Sequence, residues 1–325
     1  MSSEQASELE GGQASLVGRL APSPTGDLHL GHARSFLIAW WQARHAGGSI
    51  CLRFEDLDAD RASAQYMESA LQDFEWLGID WDGPVRIQSQ HRDAIVEHAH
   101  DLLGRGLAYP CVCSRSEINA LAAPHAGESE PRYPGTCRGR FRTLEAAREL
   151  TGKPAGLRFC APDEQLDFND GVQGLQGSNP QRDSGDFLIL RRDGTPAYQL
   201  AVVVDDAAQA VNSVVRGADL IGSTPKQLAL IAAFGFAAPR YWHVPLVTDV
   251  TGRRLAKRDA DLSLKQLREA GADPKRIVAW AANTCGFDVG ARSSAREIVP
   301  YFVTEAITTT SVAVDLAELQ RSFGC

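Results

Sequence analysis

Short apolar runs alternate with helical patterns over the N-terminal third of the chain. Residues 16–18 and 50–54 are predicted to be buried strands, whereas residues 33–41 and 62–77 have the apolar spacing of helices. Strands that alternate with helices are typical of an α/β domain with a parallel sheet. The pattern therefore predicts an α/β fold that begins near residue 15.

The pattern changes twice further along the chain. Residues 110–184 are richer in Pro, Gly and Arg, which predicts a domain inserted into the α/β unit. The apolar runs 187–190 and 200–204 indicate that the α/β pattern then resumes. Asp205 and Asp206 are predicted to lie at a strand end, either as helix caps or as catalytic groups.

The C-terminal part has helical patterns, with Asp273 and Pro274 as a typical helix start. Residues 1–14 are predicted to be a polar, disordered tail. The catalytic domain is predicted in two parts, residues 15–109 and residues 185–261, with the insertion at residues 110–184 between them. Residues 262–325 are predicted to form a C-terminal helical segment.

A turn between the first predicted strand and the first predicted helix carries two histidines. Its sequence is Arg-Leu-Ala-Pro-Ser-Pro-Thr-Gly-Asp-Leu-His-Leu-Gly-His, and His29 and His32 flank Gly31 at the helix start. A helix N-terminus favours anions, imidazoles donate hydrogen bonds to phosphates, and a glycine lets a phosphate or a nucleotide ring approach the backbone. The turn is a candidate phosphate site, and two ordinary histidines at a helix start are the alternative.

A second basic motif lies far downstream. The run Arg-Arg-Leu-Ala-Lys-Arg at residues 253–258 follows an apolar strand predicted at residues 244–249 and a turn at Thr251 and Gly252. Lys257 in such a loop can follow the charge of a leaving pyrophosphate. Taken alone, a run of this kind is as readily a solvated basic turn.

Together the two motifs resemble the signatures of class I aminoacyl-tRNA synthetases, in which a histidine turn and a lysine loop hold ATP from opposite sides. The motifs between them resemble the glutamyl-tRNA synthetase branch: Arg-Phe-Glu-Asp-Leu-Asp at 53–58, Tyr-Gln-Leu-Ala-Val-Val-Val-Asp-Asp at 198–206, and Arg-Gly-Ala-Asp-Leu at 216–220 with Ser-Thr-Pro-Lys-Gln at 223–227. The resemblance runs from about Gly18 to Asp261 in the order of that family. It implies a Rossmann-type class I catalytic domain.

The resemblance also assigns roles to individual residues. For glutamate, it implies that Arg19 and Arg216 bind carboxylates, that Glu55 accepts the ammonium group, and that Tyr198 and Ser23 complete the pocket. For each of these residues alone, an ordinary ion pair or strand-end contact is the alternative. The residues implied for ATP, which is expected with Mg²⁺, are Arg19, Leu20, Ala21, Pro22, Ser23, His29, Gly31, His32 and Lys257, with His29, His32 and Lys257 as the catalytic groups.

Three cysteines of the insertion form a candidate metal site. Cys111, Cys113 and Cys137 together with the phenol of Tyr133 provide four ligands, as a tetrahedral zinc site requires. Three ordinary buried thiols are the alternative. The family resemblance implies one structural zinc ion per chain, facing RNA. His125 is the rival fourth ligand, and we favour Tyr133 because its spacing to Cys137 matches the family.

Composition narrows the class of partner. The net charge of −8 argues against indiscriminate binding to nucleic acid, although the arginines between residues 132 and 158 could form a local face for RNA. We see no signal peptide and no apolar stretch that could span a bilayer, so seven cysteines indicate a reducing cytoplasm with free or metal-bound thiols. We expect a cytoplasmic monomer that binds neither membranes nor DNA.

About sixty residues follow the lysine loop, too few for the large helical domain with which glutamyl-tRNA synthetases read the anticodon. In this respect the chain resembles the glutamyl-Q tRNA(Asp) synthetases. That resemblance implies ATP-dependent activation of L-glutamate and its transfer to the queuosine base at the wobble position of tRNA(Asp), with the anticodon stem-loop as the bound partner. A shortened glutamyl-tRNA synthetase and a catalytically silent RNA-binding paralogue are the alternatives.

Overall fold

The structure is a computed structural model that describes residues 15–121, 132–253 and 263–324, so the predicted tail, His125 and Lys257 lie outside the described residues. In chain order the strands are β1 (Val17–Leu20), β2 (Ser49–Phe54), β3 (Arg86–Ile87), β4 (Ala108–Cys111), β5 (Gly156–Phe159), β6 (Leu166–Asp170), β7 (Gly174–Ser178), β8 (Phe187–Leu190), β9 (Ser213–Gly217), β10 (Arg240–Val244), β11 (Val247–Asp249) and β12 (Val312–Val314).

The α-helices are α1 (Leu30–His45), α2 (Ala64–Leu77), α3 (Arg92–Gly104), α4 (Arg115–Leu121), α5 (Leu144–Thr151), α6 (Pro180–Asp183), α7 (Tyr198–Ala208), α8 (Thr224–Phe234), α9 (Leu264–Glu269), α10 (Pro274–Asn283), α11 (Ala295–Ile298) and α12 (Leu316–Phe323). Among the described residues, no helix is both long and apolar enough to cross a bilayer.

A mostly parallel sheet forms the centre of the α/β unit. Strands β1, β2 and β3 are parallel, and so are β9, β10 and β6, with β7 antiparallel at the outer edge. The two groups meet where the Asn212 N–H donates to the Val17 carbonyl at 3.0 Å and the Asn212 side chain accepts from the Val17 N–H at 2.8 Å. The strand order therefore reverses at β1 and β9, and such a reversal leaves a crevice at the carboxyl ends of the strands.

Helix α1 is enclosed by the core on nearly all sides. Leu37, Trp40 and Trp41 are buried, and the indole N–H of Trp41 donates to the Ala295 carbonyl at 2.9 Å. A helix buried on nearly all sides has no continuous polar face toward solvent, so its position is set by packing. Its burial fixes the direction of its axis, and its N-terminus opens at the crevice.

A separate antiparallel sheet consists of β4, β5 and β8, so residues 187–190 form the predicted strand but pair with β5. It shares a core with helices α3, α7 and α8, in which Ile95, Leu157, Leu190, Leu200 and Leu230 are buried. The apolar residues of α7 pack in this core, which fixes the position of the helix.

The sequence prediction was wrong for the apolar run 200–204. The run lies inside helix α7, and Asp205 and Asp206 are buried side chains of that helix, neither at a strand end nor at a cap. The physical reason is that a short, fully buried apolar run has no periodicity that separates a strand from an enclosed helix.

The prediction of one strand at residues 244–249 was also wrong. Val244 ends β10, whereas Val247–Asp249 forms β11, which pairs in parallel with β12. Pro245 between them has no N–H to donate to a ladder, and this residue ends β10. The predicted helix start at Asp273 and Pro274 is confirmed, because the Asp273 carboxylate accepts from the Lys275 N–H at 3.0 Å at the start of α10.

One carboxylate in the core between helices is poorly compensated. Asp73 of α2 is fully buried, one of its oxygens has no hydrogen-bond partner, and its other oxygen lies 3.3 Å from the Arg268 Nε of α9. Burial raises the pKa of Asp73 to about 6, although the Arg268 guanidinium opposes the rise. The folded state therefore binds the proton more tightly than the unfolded chain, in which an Asp titrates near 3.9.

Asp73→Asn is expected to stabilise the protein increasingly as the pH rises. In the wild type, stability is lost between about pH 4 and pH 6, as the unfolded state releases its proton first. An amide does not ionise, so the difference in melting temperature between variant and wild type should grow across this window and then level off. Thermal melts from pH 4 to 8 measure it, with Glu75→Gln on the exposed face of α2 as the control. A difference independent of pH would contradict the assignment.

Candidate active site

A cavity of about 550 Å³ occupies the crevice at the carboxyl ends of β1, β2, β3 and β9. Of the described residues predicted to bind glutamate or ATP, all but Leu20 line this cavity. They are Arg19, Ala21, Pro22, Ser23, His29, Gly31, His32, Glu55, Tyr198 and Arg216. The side chain of Leu20 is buried in the core beneath the cavity. Lys257 lies outside the described residues, so its position stays a prediction.

The two histidines cap helix α1. The Nδ1 atom of His29 accepts the Gly31 N–H at 3.1 Å, and the Nδ1 atom of His32 accepts the His29 N–H at 3.2 Å. The two rings stack with their centroids 3.7 Å apart. Because Nδ1 is an acceptor in both rings, each neutral imidazole carries its proton on Nε2. This tautomer provides N–H donors of the kind that a phosphate oxygen accepts.

The lack of a side chain at Gly31 leaves room for the His29 ring, whereas the sequence suggested only that it leaves room for a phosphate or a nucleotide ring. A Cβ atom at this position would lie 3.0 Å from Cε1 and 3.1 Å from Nδ1 of His29. The group that approaches the Gly31 backbone is therefore the His29 ring, in addition to any ligand in the cavity. A larger residue would displace the ring and remove the cap.

The first described residues after the lysine loop lie beside the histidine turn. Ser263 forms an isolated β-bridge with His29, and the Leu264 N–H donates to the Leu28 carbonyl at 2.7 Å. Val247 of β11, the strand that precedes the loop in the sequence, lines the cavity. The described segments on both sides of the loop therefore reach the site.

A buried ion cluster lies at the cavity floor. The fully buried Arg53 guanidinium contacts Asp206 through Nη2 at 2.8 Å and Glu55 through Nη2 at 3.1 Å. Asp205 accepts from Arg86 Nε at 2.8 Å and from Gln88 Nε2 at 2.7 Å. Burial raises the pKa of Glu55, while the positive charges of Arg53 and Arg19 oppose the rise. The cluster joins β2 to α7.

Arg19 lies between this cluster and the cavity. Its Nη1 donates to the Val215 carbonyl of β9 at 2.8 Å, and its Nε lies 3.8 Å from Asp206. One hydrogen bond and one distant carboxylate use few of the five N–H donors of a guanidinium. Arg19 therefore combines a fixed position at the β1–β9 junction with donor capacity for a ligand.

Arg216 is held by neutral acceptors. Its Nε donates to His243 Nε2 at 2.9 Å, its Nη1 to Gln227 Oε1 at 2.8 Å and its Nη2 to Thr224 Oγ1 at 2.8 Å. The guanidinium also lies over the Tyr241 ring, 5.1 Å from its centroid. Among the described residues, no carboxylate oxygen lies within salt-bridge distance of Arg216, so its full charge is available to an anionic ligand.

The cavity lining thus includes the guanidiniums of Arg19 and Arg216, the Glu55 carboxylate, the half-exposed phenol of Tyr198 and the two stacked imidazoles. It also includes Arg61, Arg191, Asp58 and Asp219. Guanidiniums and a carboxylate can recognise a small molecule with carboxylates and an ammonium group, and imidazoles can bind phosphates. All of these groups face one volume, as a reaction between an amino acid and a nucleotide requires.

Comparison with known proteins decides the family. Residues 15–319 match the family model described as tRNA synthetases class I (E and Q), catalytic domain. The chain belongs to this family. It is a ligase of the aminoacyl-tRNA synthetase type.

Two relatives and one solved structure place the chain within the class I synthetases. The chain is 45% identical to a glutamyl-Q tRNA(Asp) synthetase from Nitratidesulfovibrio vulgaris, with 83% of this chain and 86% of that protein covered. It is 36% identical to a glutamate–tRNA ligase from Oleidesulfovibrio alaskensis, with 94% of this chain and 65% of that protein covered.

The fold agrees with a glutamate tRNA ligase from Elizabethkingia meningosepticum that was solved in complex with its amino acid, at a TM-score of 0.81 and 26% identity, over 95% of this chain and 68% of that chain. The Rossmann-like α/β fold of the class I synthetases is therefore shown for this chain.

Outside this cavity, the structure brings the predicted metal ligands together. The sulfur atoms of Cys111, Cys113 and Cys137 lie within 4.8 Å of one another, and the Tyr133 hydroxyl lies 3.3 Å from the Cys111 sulfur. Four zinc ligands at about 2.0–2.3 Å require sulfur atoms roughly 3.8 Å apart, and the sulfur atoms of Cys113 and Cys137 lie 3.6 Å apart. The donor set fits a tetrahedral metal ion.

A basic side chain supports the cysteine cluster. Arg158 Nε donates to the Cys111 sulfur at 3.3 Å, and its guanidinium lies 3.9 Å from the centre of the Tyr133 ring. The same guanidinium therefore contacts two of the four predicted ligands. His125, the rival ligand in the sequence prediction, lies outside the described residues.

Sequence reasoning missed the residues behind the cavity wall. Arg53 lies in the Arg-Phe-Glu-Asp-Leu-Asp motif, but no role was predicted for it, and neither His243 nor Asp170 was predicted to be a site residue. The signal that could have found Arg53 is its position inside a predicted buried strand, where a charged residue needs a buried partner. No sequence pattern pairs Asp170 with His243, because they come together only through the β6–β10 pairing.

Proposed function

We propose that the chain activates L-glutamate with ATP and transfers the glutamyl group to the queuosine base at the wobble position of tRNA(Asp). The observation that carries the first half is that Arg19, Arg216 and Glu55 line the same cavity as His29 and His32. The similarity to glutamyl-Q tRNA(Asp) synthetases over most of both chains supports the second half.

For glutamate, we propose that Arg19 and Arg216 bind the two carboxylates, since a planar guanidinium meets a carboxylate with two parallel hydrogen bonds. Glu55 accepts the ammonium group, whose positive charge compensates for the burial that raises the pKa of this carboxyl. Tyr198, at the first turn of α7, and Ser23 contribute hydroxyl contacts.

For ATP, we propose that Arg19, Ala21, Pro22, Ser23 and Gly31, which line the cavity, contact the nucleotide. The Nε2–H groups of His29 and His32 donate to phosphate oxygens. Lys257 follows the leaving pyrophosphate from the loop between β11 and α9. Mg²⁺ accompanies ATP and neutralises part of the phosphate charge. These groups stabilise charge that develops in the reaction and require no protein nucleophile.

The reaction has two steps. A glutamate α-carboxylate oxygen attacks the α-phosphorus of ATP, the bond to pyrophosphate breaks, and glutamyl-adenylate forms. A hydroxyl of the queuosine cyclopentene ring then attacks the activated carbonyl carbon, so that an ester forms, AMP leaves and the hydroxyl proton is released. The part of tRNA(Asp) that the protein binds is the anticodon stem-loop, which carries the queuosine base.

The acceptor test uses radiolabelled glutamate and purified tRNAs. We expect transfer to queuosine-containing tRNA(Asp) and none to queuosine-free tRNA(Asp), because the attacking diol is then absent. Removal of the 3′-terminal adenosine should leave the reaction intact, since the ester forms on the modified base. An isolated anticodon stem-loop with queuosine should also be a substrate.

The same assay decides between the alternatives. Charging of tRNA(Glu) at its terminal ribose would identify a glutamyl-tRNA synthetase activity in place of the proposed one. An absence of transfer to any tRNA, with normal tRNA binding, would favour the silent RNA-binding paralogue.

Arg19→Ala is expected to weaken glutamate binding selectively. Loss of one partner of a buried ion pair costs about 2–5 kcal/mol, which corresponds to a KM for glutamate at least roughly thirtyfold higher. The KM for ATP should change little. Glutamate-dependent ATP–pyrophosphate exchange without RNA measures both constants, with Arg105→Ala on the surface of the protein as the control. An equal effect on both substrates would mean that Arg19 supports the whole cavity instead of binding glutamate.

We further propose that Cys111, Cys113, Cys137 and Tyr133 bind one structural zinc ion. The spacing of the sulfur atoms and the Tyr133 hydroxyl supports this proposal. The metal would join the start of the insertion, after β4, to the turn at residues 133–137, and the chemistry it supplies there is structural.

Metal analysis of protein purified without chelator should find about one zinc ion per chain. Cys111→Ser should lower both the zinc content and the melting temperature, and it should reduce transfer to tRNA more than adenylate formation, because the cluster lies away from the catalytic cavity. Cys51→Ser, which changes a cysteine outside the cluster, is the control and should retain the metal. Metal-free protein with unchanged stability would favour three ordinary thiols.

A further inference from the structure

Two buried residues behind Arg216 have no role in the function proposed above. The side chains of Asp170 and His243 are both fully buried, and neither residue lines the cavity. The Asp170 carboxylate lies 2.6 Å from His243 Nδ1 and also accepts the backbone N–H of His243 at 3.1 Å. A carboxylate at this distance accepts a hydrogen bond from Nδ1–H, so it selects the imidazole tautomer that carries its hydrogen there.

The other ring nitrogen then has to be an acceptor. His243 Nε2 lies 2.9 Å from Arg216 Nε, which can only donate. It also lies 3.3 Å from the Thr224 hydroxyl, which already accepts from Arg216 Nη2 at 2.8 Å and therefore has its own proton to donate. Both contacts are satisfied only while Nε2 carries no proton.

We propose that Asp170 and His243 are positioning residues, which hold the Arg216 guanidinium in the orientation that binds a glutamate carboxylate, and that protonation of His243 disrupts this orientation. The inference rests on the proposed function of Arg216 as a carboxylate-binding residue. It deepens that function by naming the residues that determine the affinity for glutamate and its dependence on pH.

The groups around His243 fix the direction of the pH effect. Burial is the largest influence and lowers the pKa of His243, and the positive charges of Arg216 on β9 and Arg19 on β1 act in the same direction. Asp170 on β6 opposes them, and the Tyr241 ring stacks on the imidazole with centroids 5.9 Å apart. The imidazole is therefore neutral at pH 7 and acquires its proton only in acid.

Protonation places two donors face to face. An imidazolium Nε2–H would point at the Arg216 Nε–H and at the Thr224 hydroxyl, and two like charges would lie within hydrogen-bonding distance. The guanidinium would have to turn away from the position set by Gln227 and Thr224. Glutamate binding should therefore weaken as the pH falls through the pKa of His243.

Three variants test the inference in ATP–pyrophosphate exchange, with glutamate as the varied substrate. His243→Phe removes the acceptor and should raise the KM for glutamate by about tenfold to a hundredfold, as expected for one hydrogen bond to a charged group, with little change in the KM for ATP. His243→Gln supplies an amide oxygen near the Nε2 position and should restore most of the affinity. Because an amide does not titrate, this variant should also lack the extra loss of affinity at acid pH.

Asp170→Asn tests the tautomer. An amide nitrogen can donate to Nδ1, which moves the imidazole proton to Nε2 and sets it against Arg216, so the KM for glutamate should rise as in His243→Phe. Asp167→Asn is the matched control, because Asp167 lies on the same strand, β6, and accepts from Gln165 at 2.8 Å at the surface. Melting temperatures show whether each variant folds.

The outcomes separate this inference from the proposed function. An unchanged KM for glutamate in His243→Phe, or an equal change for glutamate and ATP, would overturn the positioning role. A pH profile of His243→Gln identical to that of the wild type would overturn the protonation effect. If the wild-type chain shows no glutamate-dependent exchange, the proposed function itself fails.

Discussion

The burial of the Arg53 charge is the constraint on which the rest of the site depends. Removing a guanidinium from water is costly, and carboxylates in contact with it offset that cost. Arg53 obtains such carboxylates from the end of β2 and from α7. Glu55 and Asp206 cannot move without exposing an uncompensated charge in the core. The same contacts place the Glu55 carboxylate at the cavity wall and set Asp206 beside Arg19. The ligand-binding groups are thus oriented by the requirement that a buried ion remain paired.

The strand order explains why this cluster lies at the cavity. Ligands in parallel α/β sheets bind where the strand order reverses, and here β1 and β9 meet through the Asn212 contacts to Val17. Arg19 comes from one side of this junction and Arg216 from the other. A ligand that contacts both arginines also joins the two halves of the sheet. The position of the site is therefore a property of the topology, and its chemistry is a property of a few strand-end residues.

Much of this arrangement was predictable from the sequence. The histidine turn, the strand at 50–54 and the helix start at Asp273 carry local signals, namely a glycine-containing cap, β-branched and aromatic residues, and an Asp-Pro pair. The α/β class and the glutamate-site residues followed from motifs, and the structure brings the described ones into one cavity. Residues 200–206 were assigned wrongly because their burial on all sides removes the periodicity on which the prediction depends.

The residues that support the site could not be predicted in the same way. Asp170 lies on a strand of ordinary composition, and its contact with His243 exists only because β6 pairs with β10 at a single register position. The tautomer of an imidazole is likewise set by a tertiary neighbour. Sequence motifs identify the side chains that reach the cavity, whereas the hydrogen bonds that orient them are determined by packing.

The separation of Asp170 from Arg216 by an imidazole has a consequence for competition. A carboxylate in direct contact with Arg216 would be an internal rival to the substrate, present at a high effective concentration because it is attached to the same fold. A free amino acid would have to displace it. With the imidazole of His243 between them, Asp170 still contributes a negative charge near the guanidinium, but it occupies none of its N–H groups. The protein thereby stabilises a buried arginine without providing the anion that the arginine is placed to bind.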